Sequence, residues 1–256
     1  MRCCCPMSSS FGRAFLSVAI VGAASLIATG FVQSEDKPAP KEVKCQPYPL
    51  ATCIVSNMKL TDAPKPVVKQ IDGREVRFCC DQCPTKFEED KAGYFKKIDD
   101  QIIAQQLKHY PLTTCVVMTD EELTDPAENV NLVYANRLVR FCCNGCPRKF
   151  KADPAKYLAV IDEAVIAQQK EAYPLTTCPI SGAKLGSMGD PVTKVYGVTM
   201  VKFCCNGCVG KFEADYTASM AKVTDAWKAK HAGGKSADGH DHSDHDHNHD
   251  GHDHPH

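Results

Sequence analysis

Twelve of the sixteen cysteines stand in three matching sets of four. Thiols at that density hold a soft metal, cross-link the chain, or exchange with other thiols. Cys53 is separated from Cys79 by 25 residues, Cys115 from Cys142 by 26, and Cys178 from Cys204 by 25. Each set then closes with a tight cluster. The clusters are Cys79, Cys80 and Cys83, then Cys142, Cys143 and Cys146, then Cys204, Cys205 and Cys208. Cys3, Cys4, Cys5 and Cys45 lie outside the sets. Near the end, His240, His242, His245, His247, His249, His252, His254 and His256 alternate with aspartates. Neutral imidazoles bind borderline metals, and nearby carboxylates add charge attraction.

The elements that must position these groups repeat. Tyr48-Pro49-Leu50-Ala51-Thr52-Cys53 returns as Tyr110 to Cys115 and again as Tyr173 to Cys178. Val76 to Cys83 returns as Val139 to Cys146 and Val201 to Cys208. Each copy reads as a turn holding the first cysteine, a β-hairpin, and a helix entered at the last cysteine. Asp72-Gly73 between Val67–Ile71 and Glu75–Phe78 is a strong hairpin signal. The other hairpins centre on Asn136 and on Gly197, with Val192 to Tyr196 and Val198 to Phe203 as the third pair. Pro84 and Pro147 suit a first helical turn. A longer helix closes each copy, and Asp153-Pro154 is a good start for the second. Tyr157, Val160, Ile161, Ala164 and Val165 share one of its faces. The expected architecture is α+β: three tandem treble-clef-like or zinc-ribbon-like modules joined by helices.

A hairpin brings its ends together, so a turn cysteine before it can meet a cysteine at its exit. The last cysteine opens a helix, where free N–H groups and the dipole favour thiolate, the form that ligates Zn²⁺ or Cu⁺. Two alternatives stand beside the metal reading. An oxidising compartment would favour disulfides and an exported interaction protein. Cys80-x-x-Cys83 and its equivalents lie between a strand and a helix, as redox motifs do, although the βαβ scaffold is absent and a third cysteine is adjacent. Adjacent cysteines seldom share one metal, and strand parity groups Cys80 with Val76 and Phe78 but Cys79 with Arg77.

The cysteine pattern resembles the TRASH/YHS family of small metal-binding modules. The matching stretches are Phe78-Cys79 with Cys83 and Phe87, Phe141-Cys142 with Cys146 and Phe150, and Phe203-Cys204 with Cys208 and Phe212. Lys151 to Tyr157 is also similar to the family's helix start. The resemblance covers about residues 48–227 and implies handling of heavy metals. It groups Cys79, not Cys80, with Cys53 and Cys83. Cys80, Cys143 and Cys205 stand where the family often has Ser, as a fourth ligand, an exchange partner or half of a disulfide. The gap before the second cysteine exceeds the family's usual one, which a longer hairpin would explain.

The rest of the chain sets the context. Residues 1–34 read as a signal peptide or N-terminal anchor: Arg2 and Arg13, an apolar run from Ala14 to Ala28, and a cleavage site at Val32-Gln33-Ser34. A retained anchor is the only expected membrane contact. Residues 35–47 read as a linker, 48–109, 110–172 and 173–231 as the repeats, and 232–256 as a His/Asp-rich tail. The net charge of -1 gives no reason to expect nucleic acid. No catalytic constellation appears, so the chain is expected to be no enzyme. Its expected partners are metal ions and a metal transporter or efflux protein.

Overall fold

The computed structural model describes residues 43–124 and 128–233. The expected export segment and the eight tail histidines lie outside the described residues.

Each module begins with a turn around its first cysteine. Cys53 N–H donates to Met58 O, and Asn57 N–H donates back to Cys53 O. The third module repeats this with Cys178 to Ala183 and Gly182 to Cys178. Asn57 and Gly182 have φ of 59° and 73°, a left-handed region that these two residue types enter most easily. In the second module Cys115 N–H reaches one residue further, to Glu121 O. That turn, not the hairpin, absorbs the extra residue in the second cysteine spacing.

The hairpins themselves are equal in length. They pair β1 (Val67–Ile71) with β2 (Arg74–Phe78), β3 (Val130–Tyr134) with β4 (Arg137–Phe141), and β5 (Val192–Tyr196) with β6 (Thr199–Phe203). All are antiparallel, with Val67 opposite Phe78, Val130 opposite Phe141, and Val192 opposite Phe203. The Asp72-Gly73 loop has φ of 50° and 75°, the double positive value that a two-residue loop matching the strand twist needs. Ala135-Asn136 does the same at 50° and 65°. In the third hairpin Gly197-Val198 forms the loop, so the strand expected from Val198 begins at Thr199.

A short and a long helix follow each hairpin. They are α1 (Cys83–Glu89) and α2 (Lys91–Gln106), α3 (Cys146–Ala152) and α4 (Pro154–Gln169), and α5 (Asn206–Ala214) and α6 (Tyr216–Gly233). Pro84 and Pro147 sit in the first turns of α1 and α3. The third module has no proline there, and α5 begins two residues before its cysteine. Asp90 and Asp153 accept from Gly93 N–H and Lys156 N–H and so cap α2 and α4. The buried face of α4 is Leu158, Ile161 and Val165. Val160, expected on that face, is 38% exposed, because the helix turns Leu158 inward instead.

One phenylalanine per module is the keystone of a small aromatic core. Phe87 packs on Phe78, Tyr94 and Phe95 at 5.5, 5.4 and 5.2 Å. Phe150 does so with Phe141, Tyr134 and Tyr157, and Phe212 with Phe203, Tyr196 and Tyr216. Each of the three is fully buried and lies four residues after the last cysteine of its module.

The long helices also tie modules together. Gln106, at the end of α2, accepts Leu138 N–H from the next hairpin at 2.9 Å. Gln169, at the end of α4, accepts Met200 N–H and donates to Val198 O. The tyrosine of the repeat anchor adds a further bond: Tyr110 Oη accepts Arg140 N–H and Tyr173 Oη accepts Lys202 N–H. The first module meets the third through Arg77, which donates to Glu213 O and Ala214 O. The three modules are thus one packed unit. Gln106→Ala is expected to leave a buried N–H without an acceptor and to cost about 1–3 kcal/mol. A urea unfolding midpoint equal to that of the parent protein would contradict this role.

Candidate metal centres

Folding converts each turn–hairpin–helix unit into a cage for three sulfurs. The Sγ atoms of Cys53, Cys79 and Cys83 all lie within 4.8 Å of one another, as do those of Cys115, Cys142 and Cys146, and of Cys178, Cys204 and Cys208. The turn supplies the first, the strand exit the second, and the helix start the third. Cys79 to Cys83 is 3.6 Å, Cys142 to Cys146 is 3.8 Å and Cys204 to Cys208 is 3.7 Å. Four thiolates at the usual ~2.3 Å from a tetrahedral zinc ion stand ~3.8 Å apart. The second and third sulfurs of each triad lie at that spacing, and the first lies within 4.8 Å of both. None of the thirteen described cysteines is in a disulfide.

The second of each adjacent pair lies at the rim. Cys80 and Cys143 are exposed and Cys205 half-buried. Cys80 Sγ is 3.5 Å from Cys83 Sγ, Cys143 is 3.6 Å from Cys146, and Cys205 is 3.9 Å from both Cys204 and Cys208. Strand parity points to the wrong member of the pair for two reasons. β2 ends at Phe78, so alternation does not reach the cysteines. Arg77 is also buried, paired with Glu75 and donating to the third module, so both faces of the strand are inside. Cys45 stays outside the clusters and donates to Gln46 O. His109 and His231 are exposed near helix ends, and His231 stacks on Trp227.

Hydrogen bonds divide the thiols by acidity. Burial pushes the Cys178 thiol up. The N–H groups of Ser181 and Cys204, the Ser181 hydroxyl and the Ile180 N–H outweigh burial and bring the value to about 6. Cys53 and Cys115 are lowered in the same way, against burial, by N–H groups of their own turns and of Cys79 or Cys142. The last thiols of the modules, in the first turns of their helices, go the other way. Burial, then the neighbouring thiols, push Cys208 up to about 12 and raise Cys83 and Cys146 well above the usual range. Burial, then Cys115, pushes Cys142 up to about 11. The rim thiols are lowered first by N–H groups at the helix start: Gln82 for Cys80, Gly145 for Cys143, Cys208 for Cys205. Each metal-free cage thus sets a first-cysteine thiol shifted toward thiolate beside helix thiols shifted toward the protonated form. A cation would displace those protons.

The Cys178 shift has a definite sign. A depressed folded-state value stabilises the fold where the thiolate exists in both states. That contribution is full above pH 9, the ordinary value, and is lost as pH falls through about 6. Ultraviolet thiolate absorbance of the metal-free protein is expected to show a first step near pH 6 that Cys178→Ser removes. A first step at pH 8 or above would contradict the N–H cradle.

Sequence reading missed one position. Three residues after the first cysteine, Ser56 Oγ lies 3.1 Å from Cys79 Sγ, and Ser181 Oγ lies 3.2 Å from Cys204 Sγ. The second module has Met118 there, whose N–H reaches Cys115 Sγ at 3.4 Å. The fixed offset from the first cysteine was the available signal. The middle cage therefore lacks the hydroxyl that the other two share.

No family model matches the chain, and no curated protein or solved structure is significantly similar to it. Fold and site together define an α+β protein of three hairpin-plus-helix units, each with a cluster of three cysteines that could hold a metal ion. Among the described residues no helix is long and apolar enough to cross a membrane.

Proposed function

We propose that this chain is an exported binding protein for soft or borderline transition metals, Zn²⁺ or Cu⁺ foremost, acting in sequestration, delivery or sensing. The observation that carries the reading is the threefold recurrence of a largely buried sulfur triad at ion-compatible spacing. Three thiolates suit both ions, since each favours sulfur ligands. Modules of this size bury small cores, and metal binding would add folding free energy. The ligands proposed are the nine triad cysteines, one ion per module over residues 48–109, 110–172 and 173–231. The rim thiols Cys80, Cys143 and Cys205 are left out of this set.

The TRASH/YHS resemblance of the sequence supports the same reading, as does the treble-clef-like order of hairpin and helix. The alternating His and Asp residues from His240 to His256 would collect ions weakly and pass them inward. Export rests on the apolar N-terminal segment, and a transporter or efflux protein is the partner proposed. The protein is read as a binder rather than an enzyme.

Elemental mass spectrometry of the purified full chain, with a count of reactive thiols after denaturation, tests the proposal. Three or more metal ions per chain with mostly reactive thiols supports it. A metal-free protein with few reactive thiols would make the cysteines a disulfide scaffold instead.

A further inference from the structure

The rim thiols repeat in all three modules, yet they stand outside the three-sulfur groups. Their geometry is specific. Cys83 lies 3.6 Å from Cys79 and 3.5 Å from Cys80, so one sulfur belongs both to a triad and to a Cys-x-x-Cys pair. Cys146 stands likewise between Cys142 and Cys143, and Cys208 between Cys204 and Cys205. The outer member of each pair is the more exposed and the inner member is buried. A disulfide needs its sulfurs about 2.05 Å apart, so a shift of side chains by about 1.5–1.9 Å would join them. The pair bridges a helix start, a common place for a reactive dithiol.

We propose that each module carries a thiol–disulfide exchange activity beside its metal site, and that this reaction expels the metal. The coupling rests on the metal reading above; the exchange itself does not. The substrate class is a low-molecular-weight disulfide, RS–SR. The Cys80 thiolate attacks one sulfur of RS–SR. The S–S bond breaks, and RS⁻ leaves and takes up a proton. Cys83 then attacks Cys80 Sγ in the mixed disulfide and expels the second RS⁻, which takes the proton from Cys83, or a solvent proton if Cys83 had been a metal ligand. Two protein thiols lose two electrons in total, and one RS–SR becomes two RSH. Cys83 now has a bond to sulfur in place of its bond to the ion. The ion keeps only Cys53 and Cys79 and dissociates. Metal binding and Cys80–Cys83 oxidation therefore exclude each other.

The test is to load the full chain with Zn²⁺, add oxidised glutathione, follow released zinc with a chromogenic chelator, and map disulfides by peptide mass spectrometry. Disulfides are expected at Cys80–Cys83, Cys143–Cys146 and Cys205–Cys208, with one zinc freed per disulfide. The triple variant Cys80→Ser, Cys143→Ser, Cys205→Ser is expected to load zinc as the parent does and release it at least about tenfold more slowly, since the accessible attacking thiol is gone. Release at the parent's rate overturns the proposal, as does a disulfide map dominated by Cys79–Cys83 or by links to Cys53. If the parent takes up no zinc, the metal reading fails separately. The exchange activity then stands or falls on the same disulfide map, together with reduced glutathione formed by the zinc-free protein.

Discussion

Cys146→Ser is expected to reduce the bound metal from three ions per chain to two. Cys115 and Cys142 would remain, and two thiolates make a poor site. Structural zinc sites are worth about 10–16 kcal/mol, so losing one of three ligands should weaken the middle site by about a thousandfold or more. The other two sites draw on separate turns, hairpins and helices, so they should load as before. Competition with a graded series of chelators reads out both numbers. Three ions still bound with unchanged affinity would show that Cys146 is not a ligand.

Phe150→Ala is expected to be the most damaging change away from the sulfurs. The ring is fully buried and packs on Phe141 at 5.5 Å, Tyr134 at 5.2 Å and Tyr157 at 6.0 Å. Removing a buried Phe side chain costs about 3–5 kcal/mol. Phe150 also lies one helical turn after Cys146, so it anchors the helix that delivers the third sulfur. The metal-free variant should unfold at a much lower urea concentration, and excess zinc should recover part of the loss by binding only the folded form. A loss below about 1 kcal/mol would mean that the core repacks around the gap.

Much of this was legible in the sequence because the signals were local and repeated. Asp72-Gly73 marks a loop whose φ values must be positive, and the structure places one there. Asp153-Pro154 marks a helix start through capping chemistry, and α4 begins there. The grouping of Cys53 with Cys79 and Cys83 followed from the resemblance, whereas strand parity gave the other grouping. Parity failed because it presumes one wet face, and Arg77 is buried by a partner distant in the chain. The same limit hid the role of Gln106 and Gln169. Their acceptor function exists only because each long helix ends against the next hairpin. The hydroxyls of Ser56 and Ser181 were missed because a serine in a turn has many ordinary uses, and only the folded turn brings it to a distant sulfur.

The most direct measurement is X-ray absorption at the zinc edge on the full chain loaded with three equivalents of zinc. A first shell dominated by three sulfurs at about 2.3 Å is the expected result. A shell of nitrogen and oxygen alone would place the metal on the histidines and carboxylates and leave the cysteine cages empty.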